Sequence, residues 1–216
     1  MTKNTLWVIG SGIAVLFFLL LNGFFPTYEI FVYPEPATAA TTSAVTVSAS
    51  VAAVISCSTD TGSTVFGTLT DASIFTASPN ASTTMSCANS ALGCTLYVKD
   101  AGGGGNPGLW NSTSSAIIGS ASAAYADTAT LAAGTVGYGI QAASTTAGSG
   151  ALLTFATRYY QTGDAVGGFE ISNTTVASTT ATSSNREVVA THKAAISSAT
   201  AGGDYNDTVT YECTAN

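Results

Sequence analysis

From residue 45 onward the sequence alternates. Val45, Val47, Ala49 and Val51 are separated by Thr46, Ser48 and Ser50, and a period of two is the repeat of a strand with one apolar and one wet face. Short β-rich runs follow: TVFGTLT at 64–70, STTMSC at 82–87, CTLYVKD at 94–100, TVGYGIQA at 135–142 and ALLTFATRYY at 151–160. VGGFEIS at 166–172, REVVATHKAAIS at 186–197 and DTVTYECTA at 207–215 complete the series. Gly, Asn, Asp and Ser punctuate the runs, as turns require. No stretch beyond residue 25 carries a helical period. The pattern predicts an all-β domain over 44–216, a β-sandwich of about ten to twelve strands around one core.

Composition explains how such a domain meets water. Only 8% of the residues are charged, against roughly 25% in ordinary soluble domains. Ser, Thr and Ala make up about 44% of the chain; hydroxyls give strands a neutral solvent face, and threonine favours strands. Five Lys+Arg and a net charge of -7 exclude a nucleic-acid partner, which needs clustered basic side chains.

The start of the chain reads differently. Leu6 to Phe25 is free of charge and follows Lys3, long enough for a hydrophobic helix that spans a bilayer. The positive charge ahead of it keeps the N-terminus cytoplasmic and sends the rest out. Residues 1–25 are therefore expected to be a signal peptide or a signal-anchor helix, and 26–43 a Pro/Ala/Thr-rich tether. Ala37-Thr38-Ala39 has the form of a signal-peptidase site. Cleavage after Ala39 and retention as an anchor are both open, and membrane contact is expected only through 6–25 if uncleaved. The expected location is extracellular or on the cell surface. Cys57, Cys87, Cys94 and Cys213 fit that compartment, since an even set in an exported chain reads as disulfides. Spacing favours Cys87–Cys94, which leaves Cys57 to pair with Cys213. No CxxC pair supports zinc. Sequons at Asn80, Asn111, Asn173 and Asn206 are glycosylation acceptors only if the organism glycosylates its surface proteins.

Candidate chemistry is sparse. His192, the single histidine, shares parity with Val188, Ala190, Ala194 and Ile196 and reads as a hydrogen-bonded core or edge residue. Asp204 and Asp207 form the one tight acidic cluster, yet lack the ligand density of a calcium loop. Neither Gly148-Ser149-Gly150 nor Gly102–Gly105 has the spacing of a nucleophile elbow or a phosphate loop. No metal, cofactor or catalytic residue is expected, and the chain does not read as an enzyme. Aromatics on loops can stack on sugar rings, so Trp110 and Asn111 in the 101–115 loop, with Tyr159 and Tyr160, form a candidate binding surface.

The closing segment AGGDYNDTVTYECTAN resembles the last strand of Ig-like bacterial surface domains, with Tyr205 placed as a corner tyrosine. The series VSASVAAVISCS, VFGTLT, CTLYVKD, GTVGYGIQA and THKAAISSATAGGDYNDTVTYECTAN is similar to secreted β-sandwich proteins of small-genome, candidate-phylum bacteria. VSASV…C…FG and DYNDTVTYECTA are more distantly similar to spore-coat-U-like and chaperone-usher-type pilin subunits. The Cys87/Cys94 loop departs from both patterns. The resemblance implies an Ig-like or pilin-like sandwich that assembles or coats and carries no catalytic residues. Two functions are therefore expected. One is a surface structural protein, a homopolymeric fibre or pilus subunit joined by strand donation from 41–56, with Val45, Val47, Ala49 and Val51 as the donor row. The alternative is a membrane-anchored monomeric adhesin or glycan-binding module using the 101–115 loop.

Overall fold

A computed structural model describes residues 43–121 and 127–216. The expected N-terminal helix and nearly all of the tether lie outside the described residues. The chain divides into two units, Met1–Ala49 and Ser50–Asn216. The second is all-β. Among the described residues there is no helix, and therefore none long and apolar enough to cross a membrane.

The described residues of this unit form fourteen strands: β1 (Ile55–Thr59), β2 (Phe75–Thr76), β3 (Ala81–Cys87), β4 (Cys94–Asp100), β5 (Gly108–Asn111), β6 (Ala116–Gly119) and β7 (Thr128–Thr130). The remainder are β8 (Gly137–Ser144), β9 (Ser149–Gly150), β10 (Thr154–Phe155), β11 (Ala165–Gly167), β12 (Thr174–Ser178), β13 (Ser183–Ala195) and β14 (Val209–Ala215). The larger sheet runs β1-β3-β13-β8-β11-β7, a second sheet runs β10-β12-β4-β14, and β5–β6 is a separate hairpin. Every named strand pair is antiparallel.

The backbone of the larger sheet is β13. One edge of it pairs with β3 over Ser183–Ala190 and then with β2 over Lys193–Ala194. The other pairs with β9 at Ser183–Ser184 and with β8 over Val188–Ala195. Its even positions Arg186, Val188, Ala190, His192 and Ala194 are buried, the inward parity expected of this segment. Across the core, β4 and β12 contribute Leu96, Val98, Val176 and Ala177, which join Met85, Ile140 and Val188 in one hydrophobic cluster. Burying side chains of this size contributes roughly 1.5–3 kcal/mol each relative to exposure, which is why the weakly charged chain needs no ionic scaffold.

Both disulfides cross between the sheets. Cys57 on β1 bonds Cys213 on β14, and Cys87 on β3 bonds Cys94 on β4, with Cα atoms 5.9 and 6.0 Å apart. The pairing favoured by spacing is the one present. Ile55 pairs with Cys87 and Ala215 with Cys94, two positions from Cys57↔Met85 and Cys213↔Leu96. The two bonds therefore lie together at one pole of the domain, where β13 begins.

Several expected strands are corrected. Residues 45–51 alternate as a strand does but belong to no strand. The run 64–70 supplies only an isolated bridge at Val65, although Phe66 and Leu69 pack against the core. The run 151–160 is strand only at Thr154–Phe155, because the chain turns at Ala156, whose carbonyl accepts from the amides of Tyr159 and Tyr160. Strand count exceeds expectation because β2, β9 and β10 are two-residue strands.

Candidate functional site

The donor row is exposed. Val45, Val47 and Val51 are 82%, 88% and 86% exposed, and Ala49 is exposed as well. The Ala52 carbonyl accepts the Asn89 amide at 2.9 Å, and Val54 N–H donates to Asn89 Oδ1. Ala88 N–H donates to Val54 O and extends the β1–β3 ladder by one step. Residues 43–51 thus carry an apolar row and backbone groups that no described strand pairs with.

The aromatic surface expected around 101–115 does not assemble. Trp110 sits on β5, half-buried, with Gly103 folded against it; a Cβ on Gly103 would lie 2.4 Å from Trp110 Cβ and Cγ. Only glycine lets that backbone approach the indole so closely. Asn111 is buried, its Oδ1 accepting from Thr113 and Ser114 N–H at 3.0 and 3.1 Å and closing the β5–β6 turn. That burial also closes it as a glycosylation acceptor. Tyr159 is a core residue, fully buried, and its hydroxyl donates to Gly168 O at 3.0 Å. Tyr160 stays exposed and stacks on Phe155. The turn at Ala156 sends one tyrosine inward and its neighbour out. Asn80, Asn173 and Asn206 are exposed, and Asn173 Nδ2 donates to Glu212 at 3.0 Å.

His192 is a core residue with both ring nitrogens engaged. Tyr138 Oη lies 3.0 Å from Nδ1 and Tyr211 Oη 3.3 Å from Nε2. Phe169 and Tyr138 stack on the ring, each with centroids 5.9 Å away. Burial lowers its pKa to about 4, so the imidazole is neutral, one nitrogen donating and the other accepting.

Tyr138 also reaches Asp207, one of a carboxyl pair that sequence spacing does not join. Asp100 is buried and accepts Gly102 N–H at 2.5 Å on Oδ1 and Gly108 N–H at 2.8 Å on Oδ2. Asp207 lies against it with Oδ2 buried. Desolvation first, and then the neighbouring Asp100 charge, raise Asp207 to about 7. Burial raises Asp100 too, against its two amide donors. Two carboxyls this close share one proton; the amides favour charge on Asp100, so Asp207 holds it. Asp204, grouped with Asp207 by sequence, is exposed. Among the described residues no group of three His, Cys, Asp or Glu is arranged to hold a metal. The sequence signal for Asp100 was an acid two residues ahead of a glycine run, the pattern of a side chain that caps loop amides. The Tyr205 hydroxyl donates to Ala201 O at 2.8 Å.

No family model, curated protein or solved structure matches this chain.

Proposed function

We propose that the chain is an exported, non-enzymatic structural protein of the cell surface, an Ig-like or pilin-like subunit that polymerises by donating residues 43–51 to a neighbour. The observation that carries this reading is the donor row itself. Three valines more than 80% exposed, on one parity of an alternating run and flanked by unpaired backbone, make an apolar row that no sheet covers. A segment with this alternation gains ladder bonds and buries its apolar row by joining another sheet edge. Two disulfides and a histidine with satisfied ring nitrogens are in keeping with a durable extracellular part. Less supports the glycan-binding alternative: Tyr159 is in the core and Trp110 is half-buried against Gly103.

Deleting residues 43–51 keeps the Asn89 contacts and all fourteen strands. Negative-stain microscopy and light scattering should show filaments for the parent and a monodisperse monomer for the deletion. Filaments of the deletion variant would refute strand donation.

A further inference from the structure

The domain has a second pole, opposite the disulfides, where β13 ends. There the β5–β6 hairpin meets the larger sheet only through the Ser120–Tyr138 bridge, beside an open cleft of about 250 Å³. Ala116, Ile117, Val136, Ala199, Ala201 and Tyr205 line it. Ser197 and Thr200 complete the lining and bond to each other, Ser197 N–H donating to Thr200 Oγ1 at 3.1 Å. No charged side chain faces the space.

The edge of β6 beside this cleft joins β8 just past its end, where Ser120 bridges Tyr138 in parallel and Ala121 N–H donates to Tyr138 O at 2.8 Å, but it is open at Ile117. Trp110 lies opposite Ile117 in the hairpin. Its N–H donates to Asn206 O at 2.8 Å and its carbonyl accepts Asn206 N–H at 3.0 Å, so both groups point away from β6. In an antiparallel ladder the residue opposite such a position also directs its N–H and C=O outward. Ile117 therefore presents a donor and an acceptor on the outer edge of β6, ahead of the bridge to Tyr138, and no described residue bonds them.

We infer that this cleft and the Ile117 edge are the acceptor site for residues 43–51 of a second copy of the chain. The inference rests on the reading of that segment as a donated strand. Chemistry agrees: the segment SAVTVSASV has no charge and offers small aliphatic side chains in alternation, matched to a small uncharged cleft beside a strand edge. Geometry excludes the same copy. Ile55 pairs with Cys87, which pairs with Ser183 at the start of β13, whereas the cleft includes Ser197, just past its end. Twelve residues of strand separate Ser183 from Ala195, about 40 Å at roughly 3.3 Å per residue. Nine extended residues reach at most about 30 Å, so with Ala52–Val54 held by Asn89 the segment cannot return to its own cleft. Donor and acceptor at opposite poles give a heterologous, open-ended chain of subunits.

Full-length protein carrying Val47→Cys and Ala199→Cys tests this, because all four native cysteines are already paired. Oxidation should give a ladder of disulfide-linked multimers on a non-reducing gel. The pair Val47→Cys with Leu92→Cys, an exposed residue at the disulfide pole, should give none. Ala199→Trp, at an exposed lining position, should fill the cleft and reduce filament yield at least tenfold while the thermal midpoint holds. A missing ladder, an intrachain crosslink, or undiminished filaments from a folded Ala199→Trp would overturn the assignment. If Ala199→Trp assembles while the 43–51 deletion stays monomeric, donation stands and the acceptor lies elsewhere. If the deletion assembles, donation fails and takes this inference with it.

Discussion

His192 and Asp207, linked through the Tyr138 hydroxyl, have opposite proton preferences. Folding keeps His192 neutral down to about pH 4, below its ordinary 6.5, so between those values the unfolded chain binds one more proton there. Stability from this residue is present above pH 6.5 and lost as pH falls towards 4. Asp207 stays protonated up to about pH 7, above its ordinary 3.8, so the folded protein binds the extra proton. Its contribution is present below 3.8 and lost as pH rises towards 7. The two slopes oppose each other from pH 4 to 6.5. Asp207→Asn should therefore leave a thermal midpoint that climbs with pH across that range, and His192→Gln one that falls from pH 4 to 7. Identical profiles for the two variants would dissociate these residues from pH-dependent stability. A second residue-scale test concerns Gly103→Ala. The added methyl must displace Trp110, at about 1–3 kcal/mol for a forced overlap. In a Trp7→Phe background the Trp110 emission should shift to the red and the urea midpoint should drop.

At the scale of elements, legibility followed pairing. β3, β4, β13 and β14 were readable because alternation, β-branched content and turn residues agree there; β4 starts and ends at the expected residues, Cys94 and Asp100. Residues 45–51 show the limit of that signal. Period two reports which side chains share a face, not whether a partner strand lies alongside, and partnering is what makes a strand. The run 151–160 failed for a local reason, a turn at Ala156 inside an apolar stretch with no Gly or Pro to mark it. The β5–β6 hairpin hid in an apparent loop because its turn is closed by the Asn111 side chain. The histidine's place in the core was legible from parity. The carboxyl pair was not, because Asp100 and Asp207 are brought together only by the β4–β14 register, in which Val209 faces Asp100.

For the whole molecule, the covalent frame is the dominant stabiliser outside the core. Cys57–Cys213 spans 156 positions of sequence, and a loop of that size restricts the unfolded chain by about 5 kcal/mol in the loop-entropy account. The total stability of such a domain is roughly 5–15 kcal/mol. Cys57→Ala with Cys213→Ala should therefore lose a large share of it, visible as a lowered urea midpoint under oxidising conditions; an unchanged midpoint would show the bond to be slack.

The same bond governs how the domain carries load. A pull on the chain ahead of Ile55 acts on an edge strand, and edge strands yield by unzipping one ladder bond at a time. On β1 the unzipping meets Cys57 at its third residue. There the tension leaves the hydrogen bonds and passes through sulfur into β14 and the second sheet. A fibre strung through these N-terminal segments would stretch by two residues per subunit at that strand and then bear on covalent bonds.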